Sequence, residues 1–166
     1  MRTNIILETG DITTIKAGFI FHGVNCRGAM GSGVAKTLSD KWPIVKEEYR
    51  KLHGRFQYKE DELLGVYQIV PIDKQISVVN AFTQYNFGSG GRFASPMAID
   101  WSLRHFCAKL INTCDPESRH IHLPKIGGDR GGLDFEKEVM PIIERCAMLY
   151  PTITFIVWTY DGTLNK

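Results

Sequence analysis

The 166 residues carry 20 Lys and Arg against 18 Asp and Glu, a formal charge of +2, with 43% hydrophobic and 23% charged residues. That balance makes no electrostatic case for nucleic acid or a membrane surface as the main partner, and the composition is that of a globular domain with a sizeable core. The four cysteines, Cys26, Cys107, Cys114 and Cys146, match neither a disulfide framework nor a zinc spacing, so free thiols in a reducing compartment are expected. No secretory leader pattern and no apolar run near the ~20 residues of a membrane span is read, which gives a cytoplasmic single domain over residues 1–166.

Taken in order, TNIILET (3–9) and GFIFHGVN (18–25) read as strands. From about Gly33 to His53, Val34, Leu38, Trp42, Val45 and Tyr49 recur at helical spacing, and Pro43 predicts a kink or a break into two helices. LLGVYQIV (63–70) and ISVVNAF (76–82) read as a hairpin turning near Asp73. Ser95 and Pro96 then open a helix whose apolar stripe is Ile99, Leu103, Phe106, Leu110 and Cys114. HIHLPKI (120–126) is a strand, DFEKEVMPIIERCAML (134–149) a helix containing Pro141, and ITFIVWTY (153–160) a buried final strand. Trp42, Trp101 and Trp158 all fit apolar stripes and are assigned to the core. Strands alternating with helices predict a three-layer α/β/α sandwich on a mixed, mostly parallel sheet of about six strands.

Two glycine-rich loops follow strands and precede helices: NCRGAMGSGVA, with Gly28, Gly31 and Gly33, and GGDRGGLD, with Gly127, Gly128, Gly131 and Gly132. In open α/β sheets ligands sit beyond the carboxyl ends of strands, where backbone N–H groups and helix dipoles favour anions. Two such loops facing each other fit a diphosphate; two unrelated tight turns are the alternative, since neither loop has the Rossmann or P-loop spacing. Asp11, ending the first strand, fits either an acceptor for an exocyclic amino group, as on adenine, or a turn cap.

These stretches together resemble the macrodomains, which bind ADP-ribose: GDIT near the start, HGVNCRGAMGSGVAKTLSDKWPIVKEEY, LLGVYQIV with VVNAFTQYNFG, and LPKIGGDRGGLDF. The HxxNCxGxxGxGxA pattern from His22 to Ala35 is most similar to the ADP-ribose-1″-phosphate phosphatase branch, which also contains ADP-ribose glycohydrolases. The resemblance implies that Asp11 and Ile12 hold adenine, that the loops with Gly28, Met30, Gly31, Ser32, Gly33, Val34, Gly127, Gly128, Arg130, Gly131, Gly132 and Leu133 grip the diphosphate, and that Asn25 and its neighbours meet the distal ribose. Where glycohydrolases of this branch carry a lysine after the fourth strand and an aspartate in the second loop, this chain has Phe82, Thr83, Gln84 and then Gly131; Asp129 could stand in for the aspartate or cap the turn.

The expected activity is therefore hydrolysis of ADP-ribose-1″-phosphate, with a non-catalytic ADP-ribose-binding module or a glycohydrolase acting on ADP-ribosylated macromolecules as alternatives. Asn25 would order the distal ribose and a water, and His22 would assist proton movement or be a hydrogen-bonded core histidine. Asn80 would face the site or bond a neighbouring loop, and Phe87 would ride on a Gly-rich flap. Arg92 would neutralise phosphate or lie solvated on the surface. No metal or cofactor is expected, because His120 and His122 share a strand face without further ligating residues nearby.

Overall fold

A computed structural model describes residues 3–160. Six strands form one sheet in the order β1-β6-β5-β2-β4-β3, where β1 is Ile5–Thr9, β2 Gly18–Asn25, β3 Tyr67–Pro71, β4 Ile76–Gln84, β5 His120–Leu123 and β6 Thr154–Thr159. All neighbours run parallel except the β3–β4 hairpin, in which Val70 pairs with Val78 and Gln68 with Asn80. The mixed, mostly parallel six-stranded sandwich read from the sequence is the fold observed.

Proline and glycine set the boundaries. Helix α1 (Gly33–Lys41) ends at Trp42 and α2 (Ile44–Arg55) starts after Pro43, so the expected break is complete. Strand β3 begins later than the apolar run suggests, because residues 60–63 form a 3₁₀ turn and Gly65 takes φ +90. Strand β5 stops at Leu123, ahead of Pro124, which has no N–H for a ladder. The last helical region divides too. Phe135–Val139 is a wide π turn capped by Asp134, whose Oδ1 accepts from Lys137 N, and α4 (Met140–Leu149) follows with Pro141 in its first turn.

Each face of the sheet carries its own core. Helices α1 and α2 cover Ile20, Val24, Val78 and Phe82 with Leu38, Val45 and Tyr49. On the opposite face α4 and α3 (Pro96–Thr113) cover Phe21, Val79, Ala81 and Ile121 with Leu103, Phe106, Ile143 and Cys146. Phe106 centres an aromatic group there, its ring 5.3 Å from Phe19, 5.6 Å from Tyr67 and 5.8 Å from Phe21. The four cysteines are free, and Cys114 is only half-buried at the end of α3.

Trp101 departs from the core assignment. It is 51% exposed on α3, its ring tilted against His105 with centroids 4.4 Å apart and lying over Gly65, because the stripe Ile99, Leu103, Phe106 and Leu110 turns it outward. Phe106→Ala should therefore lower unfolding free energy by about 3–5 kcal/mol, and Trp101→Ala by under about 1 kcal/mol, in urea melts followed by circular dichroism. Equal losses would contradict this division of core and surface.

Candidate functional site

Strands β2 and β5 are parallel neighbours, yet β2 leads to α1 on one face and β5 to the α4 region on the other. The diverging connections open a crevice beyond the carboxyl ends of the strands. A cavity of about 790 Å³ occupies it. It runs from the β1/β6 end, lined by Asp11, Ile12, Trp158 and Tyr160, past both glycine loops, to the β2/β4 end at Asn25, Thr83, Gln84 and Phe87. In sheet order that is four strand spacings, about 19 Å.

The first loop enters α1 without a side-chain cap. Lys36 N is the first amide to bond back, to Ser32 O, so the N–H groups of Gly33, Val34 and Ala35 lack intrahelical partners beside the cavity. Across from it, Asp129–Gly131 is a 3₁₀ turn after Gly128, again without a side-chain cap. Residues 127–131 line the same cavity, and Gly131 N donates to Gly128 O. Asp129 holds φ +47, a left-handed conformation costly for a residue with a Cβ, and its carboxylate makes no hydrogen bond or ion pair among the described residues.

Asp11 is the turn cap that one of its two readings expected. Its Oδ1 caps the turn Ile12–Thr14, accepting from Thr13 N at 2.8 Å and Thr13 Oγ1 at 2.7 Å, while Oδ2 is left for a donor in the cleft.

Asn25 is more committed than its sequence context implies. Its Oδ1 accepts from Arg27 N (3.0 Å), Ala29 N (3.3 Å) and Tyr49 Oη (3.0 Å), and its Nδ2 donates to Ala29 O at 2.6 Å. The side chain folds the first loop and leaves one amide proton for a ligand.

His22 lines the cavity floor, 1% exposed, with Nε2 2.6 Å from Asn80 Oδ1 and Nδ1 without a protein partner. Burial pulls its pKa down to about 4, partly opposed by the Asn80 hydrogen bond.

Fifteen of the residues singled out in the sequence line the cavity, and five, Arg92 among them, do not. Asn80 is fully buried within the sheet. Gly28, at φ +79, presses against the His53 ring on the far side of the first loop. Leu133 packs into the core beside Gly127. Gly132, at φ +78, lies against the backbone of Gly91.

That last contact belongs to a larger junction between the flap and the second loop. Phe93 N and Ala94 N both donate to Gly131 O, and Arg92 pairs with Glu138 through two bonds of 2.9 and 2.6 Å. Arg92 thus latches the flap and does not reach the cleft. Phe87, 51% exposed, is at the cavity rim.

The cleft also contains residues that the sequence reading missed. Trp158 projects from the carboxyl end of β6 and donates its indole N–H to His122 Nδ1 at 3.0 Å. His122 Nε2 lies 3.2 Å from Ala17 O, so the neutral ring is satisfied at both nitrogens, and burial pulls its pKa to about 4. The signal available was position: a residue near the end of the last strand lies at the carboxyl edge of the sheet. Lys36 and Lys125, too, border the cavity.

No family model matches the sequence, and no curated protein matches it at the sequence level. Solved structures do match. A macrodomain protein from Streptomyces coelicolor is 25% identical with a TM-score of 0.74, the match covering 95% of this chain and 99% of that one. The macrodomain of Mycobacterium tuberculosis DarG is 19% identical with a TM-score of 0.79, covering 95% and 98%. Thermosipho africanus DarTG, solved in complex with ADP-ribose, is 17% identical with a TM-score of 0.74, covering 97% of this chain and 42% of that one. The fold is the macrodomain α/β fold.

Two expectations follow. An ideal Cβ on Gly31 meets nothing within 4 Å, whereas one on Gly132 would collide with the Gly91 carbonyl. Gly31→Val should keep the wild-type melting temperature and obstruct the cleft, while Gly132→Val should lower the melting temperature by breaking the flap junction; differential scanning fluorimetry separates them. The second concerns acid. His22 is neutral in the native state down to about pH 4 but titrates near 6.5 when unfolded, so the unfolded state binds more protons between those values. Its contribution, up to about 3 kcal/mol, is present above pH 6.5 and lost as pH falls to 4. Urea midpoints measured from pH 7 to pH 4 should fall accordingly, and a flat profile would contradict the buried neutral ring.

Proposed function

We propose that this cleft binds ADP-ribose and that the protein hydrolyses ADP-ribose-1″-phosphate to ADP-ribose and phosphate. The observation that carries the binding reading is the pair of uncapped helical turns facing one cavity, midway between an open carboxylate oxygen at Asp11 and a polar end at Asn25. An adenine amino group would donate to Asp11 Oδ2 beside Ile12, and the diphosphate would take the amides of residues 33–35 and of the second loop. The cavity volume falls within the range of small-molecule sites. The fold shared with DarTG, whose structure contains ADP-ribose, supports the same ligand.

Hydrolysis is read from the distal end. Asp129 brings an unpaired carboxylate to the rim and His22 a neutral imidazole to the floor, two groups suited to orienting water and accepting its proton. Asn25 is assigned to shaping the loop, with its one remaining amide proton available to the ribose. A second reading, release of ADP-ribose from a macromolecule, has its own support: Phe87 to Gly91, Asp129 and Arg130 are all exposed, so a chain attached at C1″ has a way out of the cleft.

Calorimetry should give ~micromolar affinity for ADP-ribose and much weaker binding of AMP and ribose-5-phosphate, and Asp11→Ala should cost about 1–3 kcal/mol. Phosphate release from ADP-ribose-1″-phosphate should fall about 100-fold in Asp129→Asn with ADP-ribose affinity retained. Oxygen-18 from labelled water will appear in phosphate if phosphorus is attacked and in ADP-ribose if the anomeric carbon is. Tight binding with no phosphate release by the wild type would replace the phosphatase reading with the binding or glycohydrolase one. Absence of ADP-ribose saturation at millimolar concentration would remove all three.

A further inference from the structure

Two backbone carbonyls on α2, those of Val45 and Glu48, meet a relay of amides that ends at His22. Glu48 O accepts from Gln68 Nε2 at 2.8 Å, so the nitrogen of that amide faces α2 and its Oε1 faces Asn80. Asn80 Nδ2 then donates to Gln68 Oε1 at 3.1 Å and lies 3.4 Å from Val45 O. A backbone carbonyl only accepts, so neither amide can be turned over without setting oxygen against oxygen. Asn80 Oδ1 is left facing His22 Nε2 at 2.6 Å, a contact that is attractive only if Nε2 bears hydrogen.

The other ring nitrogen is the informative one. His22 Nδ1 has no partner, although the residue is 1% exposed and borders the cavity. A buried nitrogen with an unused lone pair has a cost unless something in the site donates to it. Every other polar atom of the relay is accounted for by the protein.

We propose that Asn80 and Gln68 are positioning residues that lock His22 in its Nε2–H tautomer, so that Nδ1 presents a fixed neutral acceptor to a hydroxyl donor bound in the cleft. The donor is a water or a sugar hydroxyl, which offer the same O–H. A phosphate oxygen is itself an acceptor and is rejected there, so the floor at His22 selects the hydroxyl-bearing part of a ligand. In its resting state the ring can only accept at Nδ1, and a proton taken there has to be returned to the leaving group or to water before the next turnover. Only the identity of the donor rests on the ADP-ribose reading; the tautomer does not.

Nitrogen-15 NMR of the histidine rings at pH 7 reads the tautomer directly, without ligand or turnover. His22 should show a protonated Nε2 and a bare Nδ1; a protonated Nδ1 or a doubly protonated ring overturns the proposal. Adding ADP-ribose should move Nδ1 toward its hydrogen-bonded position while ADP does not, if the donor is a sugar hydroxyl. A resonance already at that position in the free protein identifies water. One that stays at the free position in every state overturns the acceptor role. Asn80→Asp should place both protons on the ring, and Gln68→Met, at a half-buried site, should give a tautomer mixture with turnover lowered about 10-fold. Unchanged His22 resonances in a folded Gln68→Met protein would overturn the relay. If the tautomer is as described but ADP-ribose does not bind, the functional reading falls and the lock stands.

Discussion

The divergence of the chain after two adjacent parallel strands is the constraint on which the rest of the cleft depends. Strands β2 and β5 lie side by side, and their connections must leave for opposite faces because each face has a helical layer to complete. Both loops therefore begin helical turns at the same edge, and the amides that open those turns have neither helix nor strand to bond. The amides left open at the cleft are a property of backbone placement before they are a property of any side chain.

Side chains at the site mostly serve to hold that backbone. Asn25 spends both ends of its amide on residues 27–29 and on Tyr49, whose hydroxyl also reaches Asn25 O at 2.7 Å. Burial pushes the Tyr49 phenol well above its ordinary range and the neighbouring Cys26 thiol up to about 12, so both remain neutral, the phenol as a hydrogen-bond donor to Asn25 and the thiol as a packing group. Arg92 and Glu138 tie the flap to the turn preceding α4, and Glu138 also accepts from Asp134 N. Asp11 Oδ2, the Asp129 carboxylate and His22 Nδ1 are among the polar groups at the cleft left without such a task.

Much of this was legible in the sequence, and the failures have physical causes. Alternation, apolar stripes and the Ser95–Pro96 start identified the sheet and helices, and glycine clustering located both loops. Local pattern says nothing of what a polar residue faces once strands pair. Asn80 and His22 are far apart in the chain but adjacent in register, so a residue assigned to ligand became the partner of another site residue. Apolar periodicity likewise cannot separate a stripe from its margin, which is how Trp101 came to be counted as core and Trp158 to be missed at the cleft. Gly28 and Gly132 were assigned to the diphosphate, but each takes a positive φ and is crowded by His53 or by the Gly91 backbone.

The contact between Gly132 and Gly91 also bears on how such a protein can change over generations. Two segments about forty residues apart in the chain meet backbone to backbone, with no room for even one added carbon at Gly132. Neither segment can drift independently at that point: a side chain at 132 becomes tolerable only after the flap has withdrawn. Withdrawing the flap would in turn loosen the bonds from Phe93 and Ala94 to Gly131. Lengthening or exchanging the flap, by natural insertion or in the laboratory, therefore begins with that glycine, and variation in flap length should be inherited together with changes in the second loop.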